Sequence, residues 1–401
     1  MLIRRCAIVM FEPRETSEFC LETLLAGGDG LRRKIEWLAL APHLEEPVPV
    51  DAEARELLGR LSPGHWIDSA HAGVADRALM PLLDAGLIMQ KTDTDSAAVR
   101  REAALRSVHW HPLAAVMHAF TRWDGVDAVQ NMRDSGTETA VEMRKVLGPP
   151  PPEVARHSTA EEALVPLPAP KFTDFDALLA RRVTCRNFDP ERAVPLETFS
   201  HVLQRVFAAQ GQMRVGDDLV FMKKSVPSGG GLHPIEAYLV VRHVEGLLPG
   251  LYHYRADRHA LELLSGEAPT HEFVMEALGQ QHWFSDAPVL IALVPRFDRT
   301  FWKYRQHAKS YRVVAMEAGH LSQTLYLAAT DLGLGAFITG AINEKHLERA
   351  LGLDTSAQGV LAICGFGWRA DRMNTAELDP AGVIWSLAEQ ADAGENPALP
   401  G

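Results

Sequence analysis

Cysteine and net positive charge are both in short supply here. The four cysteines (Cys6, Cys20, Cys185, Cys364) are scattered and form no CxxC pair, which excludes a disulfide framework and a cysteine-built zinc site. Seventeen histidines are present, but there is no HExxH and no histidine cluster, so no metal site is expected. Acidic residues outnumber basic ones, 52 to 40, for a net charge of -12. A general grip on nucleic acid or on an anionic membrane therefore lacks its driving charge. No apolar run approaches the length of a bilayer span. The apolar start, Met1 to Phe11, is too short for a signal peptide and is followed by acidic residues. These absences lead to the expectation of a soluble, cytoplasmic protein with reduced thiols.

Proline is present and concentrated. Of the 25 prolines, four follow Gly148 as Pro149–Pro152, and Pro166, Pro168 and Pro170 come soon after. Such a run lacks backbone donors and favours extended chain, so neither a helix nor an inner strand should cross it. At 401 residues, 47% of them hydrophobic, the chain is long enough for two cores. The expected organisation is an accessory domain over 1–147, a linker over 148–170 and a larger domain over 171–401.

In the first part, Ala54, Leu57, Leu58 and Leu61 recur at helical spacing behind Asp51, a plausible N-cap. Val74–Ala85 repeats the pattern, with Gly86 as a natural stop. A short strand, Leu87–Met89, follows, and His111–Val146 reads as further helix. Two short helices and a strand outline a winged-helix-like unit. Residues 51–90 carry six acidic residues against three arginines, the wrong balance for phosphate contacts. Docking of a leader peptide and plain packing remain the two readings of this unit.

Beyond the prolines, strands and helices alternate. Strands are expected at Leu219–Met222, Ala237–Val241, Leu251–Tyr254, Val289–Val294 and Val360–Cys364, and long helices at Leu196–Ala209 and Tyr311–Leu332. This reads as an α/β or α+β domain with buried central helices.

Two constellations carry chemistry. Arg182, Thr184 and Arg186 alternate, so an extended segment turns all three to one side. Guanidinium forks flanking a hydroxyl suit a phosphate monoester, although surface strands also carry such alternation. In Pro227-Ser228-Gly229-Gly230-Gly231-Leu232-His233-Pro234, three glycines allow backbone N–H groups to approach a ligand that side chains would block. The loop lacks the Gly-Lys-Ser/Thr ending of a nucleotide-binding P-loop and the GxGxxG of a dinucleotide fold.

Those two motifs, followed by Glu236–Leu239 and by Pro249-Gly250-Leu251-Tyr252-His253-Tyr254, resemble the SagB-type dehydrogenases of the flavin-dependent nitroreductase superfamily. The resemblance covers about residues 175–370. It implies a nitroreductase-like fold, a central mixed sheet with buried helices, and homodimers that bind FMN at the subunit interface. It also implies that Arg182, Thr184 and Arg186 hold the phosphate and ribityl chain, and that Pro227, Ser228, Gly229 and Gly230 line the isoalloxazine. Gly333 and Gly335, at the end of the long helix, would let the chain pass close to the flavin. Arg369, in the Gly365–Arg369 run after the last strand, would add a phosphate contact.

A third stretch, Phe301-Trp302-Lys303-Tyr304-Arg305, resembles the Lys-Tyr base of azoline-oxidising members, which makes Lys303 and Tyr304 the catalytic candidates. A lysine can accept a proton near neutrality if burial or a nearby cation such as Arg305 lowers its pKa. Glu317 and His320 share a helical turn and supply only two metal ligands, so a buried helical histidine is the plainer reading. The function implied is FMN-dependent oxidation of a ribosomally made precursor peptide, azoline to azole for example, alongside a cyclodehydratase or other maturation enzyme. The alternatives are an NAD(P)H-fed reductase of a small molecule, nitro compound or dehydroamino acid, and a non-catalytic peptide-docking scaffold.

Overall fold

The computed structural model describes residues 1–72, 76–155, 164–386 and 390. The chain divides into two compact units. One comprises Met1–Arg122 with the returning segments Arg296–Arg312 and Asp354–Gln358, and the other holds the remainder.

The first unit opens with β1 (Leu2–Arg5), β2 (Met10–Phe19), a short helix α1 (Leu21–Leu25), β3 (Leu31–Leu40) and β4 (Val48–Pro49). Helix α2 (Ala52–Arg60), β5 (Ile67–Asp68), α3 (Asp76–Asp84), β6 (Ile88–Gln90), α4 (Ala97–Val108) and α5 (Pro112–Phe120) follow. Asp51 caps α2 as expected, accepting from the Ala54 N–H at 2.8 Å. Gly86 takes a left-handed φ of 74° after α3. Val74 and Ala75 lie outside the described residues. Helices α2 and α3 bury Leu57, Leu58, Leu79 and Leu82 with Ile3 and Ile88, from a three-stranded sheet ordered β5-β1-β6. The helix-helix-strand outline is therefore present. The long β2–β3 ladder, which pairs Met10 with Leu40 through to Phe19 with Leu31, was not anticipated.

In place of continuous helix over His111–Val146, the structure has three helices, α5, α6 (Ala128–Asp134) and α7 (Ala140–Leu147). Gly125 and Gly136 turn the chain between them, both at φ 64°. The division into units falls at Arg122–Trp123, ahead of the prolines. Hydrogen bonds explain why 123–147 groups with the second unit. The Val126 N–H donates to Asn343 Oδ1 at 2.8 Å, and the Ala128 N–H to the Gly279 carbonyl at 3.0 Å. Within the proline-rich stretch, 156–163 lie outside the described residues.

The second unit continues with α8 (Asp174–Arg181), α9 (Leu196–Val206) and the hairpin β7 (Gly211–Arg214) and β8 (Val220–Lys223). Its main strands are β9 (Ile235–Val241), β10 (Gly250–Arg255), β11 (Ala260–Ser265), β12 (Val289–Pro295), β13 (Gly335–Thr339) and β14 (Ala362–Gly367), in the order β11-β10-β9-β12-β14-β13. Helix α10 (His271–Ala277) precedes β12, and α13 (Glu344–Leu351) lies between β13 and β14. These six strands pair antiparallel, and Thr184 adds a parallel bridge to Ala336 at the β13 edge, which makes the layer mixed. Central β12 is buried along its whole length, as its unbroken apolar sequence requires.

The last strand is Ala362–Gly367 rather than Val360–Cys364, so Gly365-Phe366-Gly367 is strand and not a turn after one. A Cβ on Gly365 would overlap the Phe337 ring, and one on Gly367 would overlap Pro288. Helix α11 (Phe297–Lys303) belongs to the first unit, and α12 (Ser310–Asp331) enters the second at Val313. Along α12, Val314, Leu321, Leu325 and Ala329 are buried, whereas Ala315 is exposed. Among the described residues no helix is long and apolar enough to cross a membrane.

Candidate functional site

Helix α8 begins with a reciprocal capping box between Thr173 and Asp176 and stops at Arg182, whose backbone is extended. From there burial alternates. Val183 and Cys185 point inward, while Arg182, Thr184 and Arg186 stay half-exposed, so the three polar residues share a side. The segment is fixed to the sheet edge by the Cys185 N–H, which donates to the Ala336 carbonyl at 2.9 Å. Gly335 is glycine for this contact, because a Cβ there would press into Cys185. Gly333 is glycine for a different reason. It takes a φ of 76° after α12 with open space around it, and Leu334 N–H closes the helix end on the Ala329 carbonyl at 2.8 Å.

Tyr326 of α12, which sequence reasoning missed, organises the row from below. Its hydroxyl oxygen accepts from the Ile338 N–H at 3.2 Å and shares a hydrogen bond with Thr184 Oγ1 at 3.1 Å, in which either hydroxyl can donate. The Arg182 guanidinium lies 5.4 Å over its ring. Burial pushes the Tyr326 hydroxyl pKa up, so it stays neutral. Its only signal in the sequence was a polar-tipped ring on a buried helix.

Glu377 was missed as well. Its fully buried carboxylate accepts from the backbone N–H of Arg186 at 2.6 Å and of Asn187 at 3.1 Å. It also accepts from Asn187 Nδ2 at 2.9 Å, Arg369 Nη1 at 2.6 Å and Trp385 Nε1 at 2.7 Å. The second arm of Arg369 donates to the Val183 carbonyl at 2.8 Å. Arg369 is thus committed to bracing the Arg182–Arg186 segment, and its guanidinium has two protein partners already.

The glycine loop spans β8 to β9. Gly230 and Gly231 hold φ values of 66° and 68°, and His233 is left-handed too, at 46°. Ser228 Oγ accepts from the His233 N–H at 2.9 Å and closes the loop on itself. Beneath it lie Glu317 and Lys224, both almost fully buried. Burial raises the Glu317 pKa, opposed by the Ser228 hydroxyl, the Ile235 N–H and the charges of Lys224 and His320. Both the loop and the arginine row therefore abut α12. His320, which meets the loop, and Tyr326 are six residues apart, about 9 Å along the helix axis.

Lys303 and Tyr304 lie in the first unit. Lys303 is the last residue of α11 and Tyr304 its C-cap. Lys303 Nζ sits 5.5 Å from the Tyr304 ring centroid. Lys303 is exposed, however, so the described residues do not bury it as the expectation for a lysine base requires. Arg305 is exposed and donates to the Trp302 carbonyl at 3.4 Å. Behind the pair, Phe297, Phe301, Trp110 and Tyr311 form an aromatic cluster that fixes the helix. His118 is buried in it, and desolvation depresses its pKa to about 3. Among the described residues no group of three or more His, Cys, Asp or Glu could hold a metal ion.

The pattern that defines the nitroreductase family matches residues 179–368. The nitroreductase-family protein MJ1384 of Methanocaldococcus jannaschii is 33% identical over 187 residues, 47% of this chain and 88% of that one. The trifolitoxin-processing protein TfxB of Rhizobium leguminosarum bv. trifolii is 33% identical over 144 residues, 35% of this chain and 38% of TfxB. The microcin B17-processing protein McbC of Escherichia coli is 24% identical over 198 residues, 45% of this chain and 65% of McbC. The chain thus spans less than two thirds of either processing protein.

Proposed function

The chain belongs to the nitroreductase family, and from that premise we propose that it is an FMN-dependent dehydrogenase that oxidises a ribosomally made precursor peptide. One observation carries the reading. A row of two guanidinium groups and a hydroxyl, and a loop offering backbone N–H groups, both rest on helix α12. The donor set fits a flavin mononucleotide: forked cations and a hydroxyl for the phosphate, backbone donors for the polar edge of the ring system. FMN, when bound, supplies a two-electron acceptor for hydride.

In this reading Arg182 and Arg186 grip the phosphate and Thr184, held by Tyr326, orients it. Pro227 to Gly230 bring backbone against the ring, where side chains would intrude. Lys303 accepts the substrate proton and Tyr304 orients the substrate. Because Lys303 is exposed, its desolvation would have to come from the bound peptide or from a second copy of the chain. A homodimer with flavin at the interface, and a cyclising enzyme as a further partner, belong to the same proposal. The processing proteins TfxB and McbC among its relatives support a peptide substrate.

A reductase of a small molecule or nitro compound, fed by NAD(P)H, is the second reading. Similarity to most of the length of MJ1384 favours it. The test is intact-mass measurement of a precursor peptide co-expressed with the full chain. Loss of about 2 Da per site, two hydrogens, supports oxidation. A gain of that mass, or an unchanged peptide together with rapid bleaching of the flavin by NAD(P)H, supports the reductase.

A further inference from the structure

Three residues of α12 spaced i, i+4 and i+7 fall on one stripe of the helix, and all three meet the glycine loop. Val313 lies against Gly229. Glu317 Oε1 accepts from the Ile235 N–H at 3.4 Å, and the Ser228 hydroxyl lies close enough to favour its ionised form. His320 Nδ1 is 3.2 Å from the Pro227 carbonyl. A carbonyl only accepts, so that bond fixes the proton on Nδ1. Pro227 opens the loop and Ile235 begins the strand after it, so one helical turn contacts both ends.

The loop needs such support. Gly230, Gly231 and His233 are left-handed within four positions, a conformation that is costly for histidine in particular. Stability alone is a poor reason for Glu317. The carboxyl is buried and its Oε2 has no hydrogen-bond partner among the described residues, an arrangement that an apolar side chain of similar size would improve upon.

We propose that Glu317 and His320 are positioning residues that grip the two ends of the glycine loop and set its backbone N–H groups before a ligand arrives. That those N–H groups meet flavin rests on the cofactor reading above, whereas the grip itself does not.

The experiment compares the full-length chain with the variants His320→Ala, His320→Asn, Glu317→Ala and Glu317→Gln. Amide hydrogen exchange over Gly229–His233 is read without added flavin, and FMN affinity by fluorescence titration. Asparagine places an amide donor where Nδ1 stood, and glutamine keeps the acceptor oxygen for Ile235. The alanine variants should speed loop exchange and weaken FMN binding by about tenfold or more, and the amide variants should restore both to within about threefold. Unchanged protection in both alanine variants, or His320→Asn as loose as His320→Ala, overturns the grip. His320 is partly exposed, so its pair of variants decides the matter even where Glu317→Ala does not fold. A wild-type chain that binds no FMN while its exchange follows this pattern would remove the cofactor reading and keep the grip.

Discussion

Gly229 passes so closely over Val313 that a Cβ built on it would overlap the Val313 Cγ1 methyl. Gly229→Ala should therefore lift the loop off α12 or strain it, at about 1–3 kcal/mol, the usual cost of overpacking. FMN affinity should fall with it. Adding Val313→Ala removes the obstructing methyl and should recover most of both losses. Thermal unfolding and flavin titration of the three variants check this. A double variant no better than Gly229→Ala would mean that the contact with Val313 is not what requires glycine here.

Arg182 and Arg186 should be needed for colour and not for folding. The double alanine variant is expected to purify as a folded, flavin-free protein, read from its absorbance spectrum and circular dichroism. Stoichiometric flavin in that variant would refute the phosphate assignment. Tyr326→Phe leaves the Ile338 N–H without its acceptor and should cost about 1–3 kcal/mol in urea unfolding.

Lys303→Ala should slow peptide oxidation by about 10²–10⁴-fold, the usual yield of a positioned base, with flavin content unchanged. Tyr304→Phe should cost less. Single-turnover rates with the precursor peptide give the answer, and a near wild-type rate for Lys303→Ala would move the reductase reading to first place.

Burial raises the Glu317 pKa above the ordinary carboxylate value of 4.5, against the opposing pull of Ser228, Ile235, Lys224 and His320. An acid whose folded pKa is raised gives the fold its full benefit below the unfolded pKa and loses it as pH climbs through the folded value. Glu317→Gln, neutral throughout, should therefore gain stability relative to wild type as pH rises from about 5 to about 9. Melting temperatures across that range test it. A difference independent of pH would show that ionisation of Glu317 carries no penalty.

What the sequence made legible follows its periodicities. Asp51 before a 3.6-residue pattern located α2, and the run from Val289 located the central strand. The alternation at Arg182, Thr184 and Arg186 predicted a shared side, and burial follows it. The β2–β3 ladder was illegible because its outer half is charged on both strands and shows no apolar alternation. There Lys34 pairs with Glu18 and Glu36, and Arg33 with Asp29. Tyr326 and Glu377 stayed hidden because their partners are remote, Thr184 being 142 positions from Tyr326 and Arg186 191 from Glu377. Arg369 was visible as a cation, but the carboxylate that engages it was not.

Glu377 lies outside the stretch 179–368 that marks the family, yet the arginine row hangs from it. Trimming the chain to that stretch would strip the acceptor from the Arg186 and Asn187 amides and take Arg369 as well. Such an excised fragment would keep its sheet strands and lose the brace that shapes its arginine-bearing edge. The smallest portable piece of this protein therefore extends at least through Trp385, whose indole N–H completes the carboxylate's set of donors.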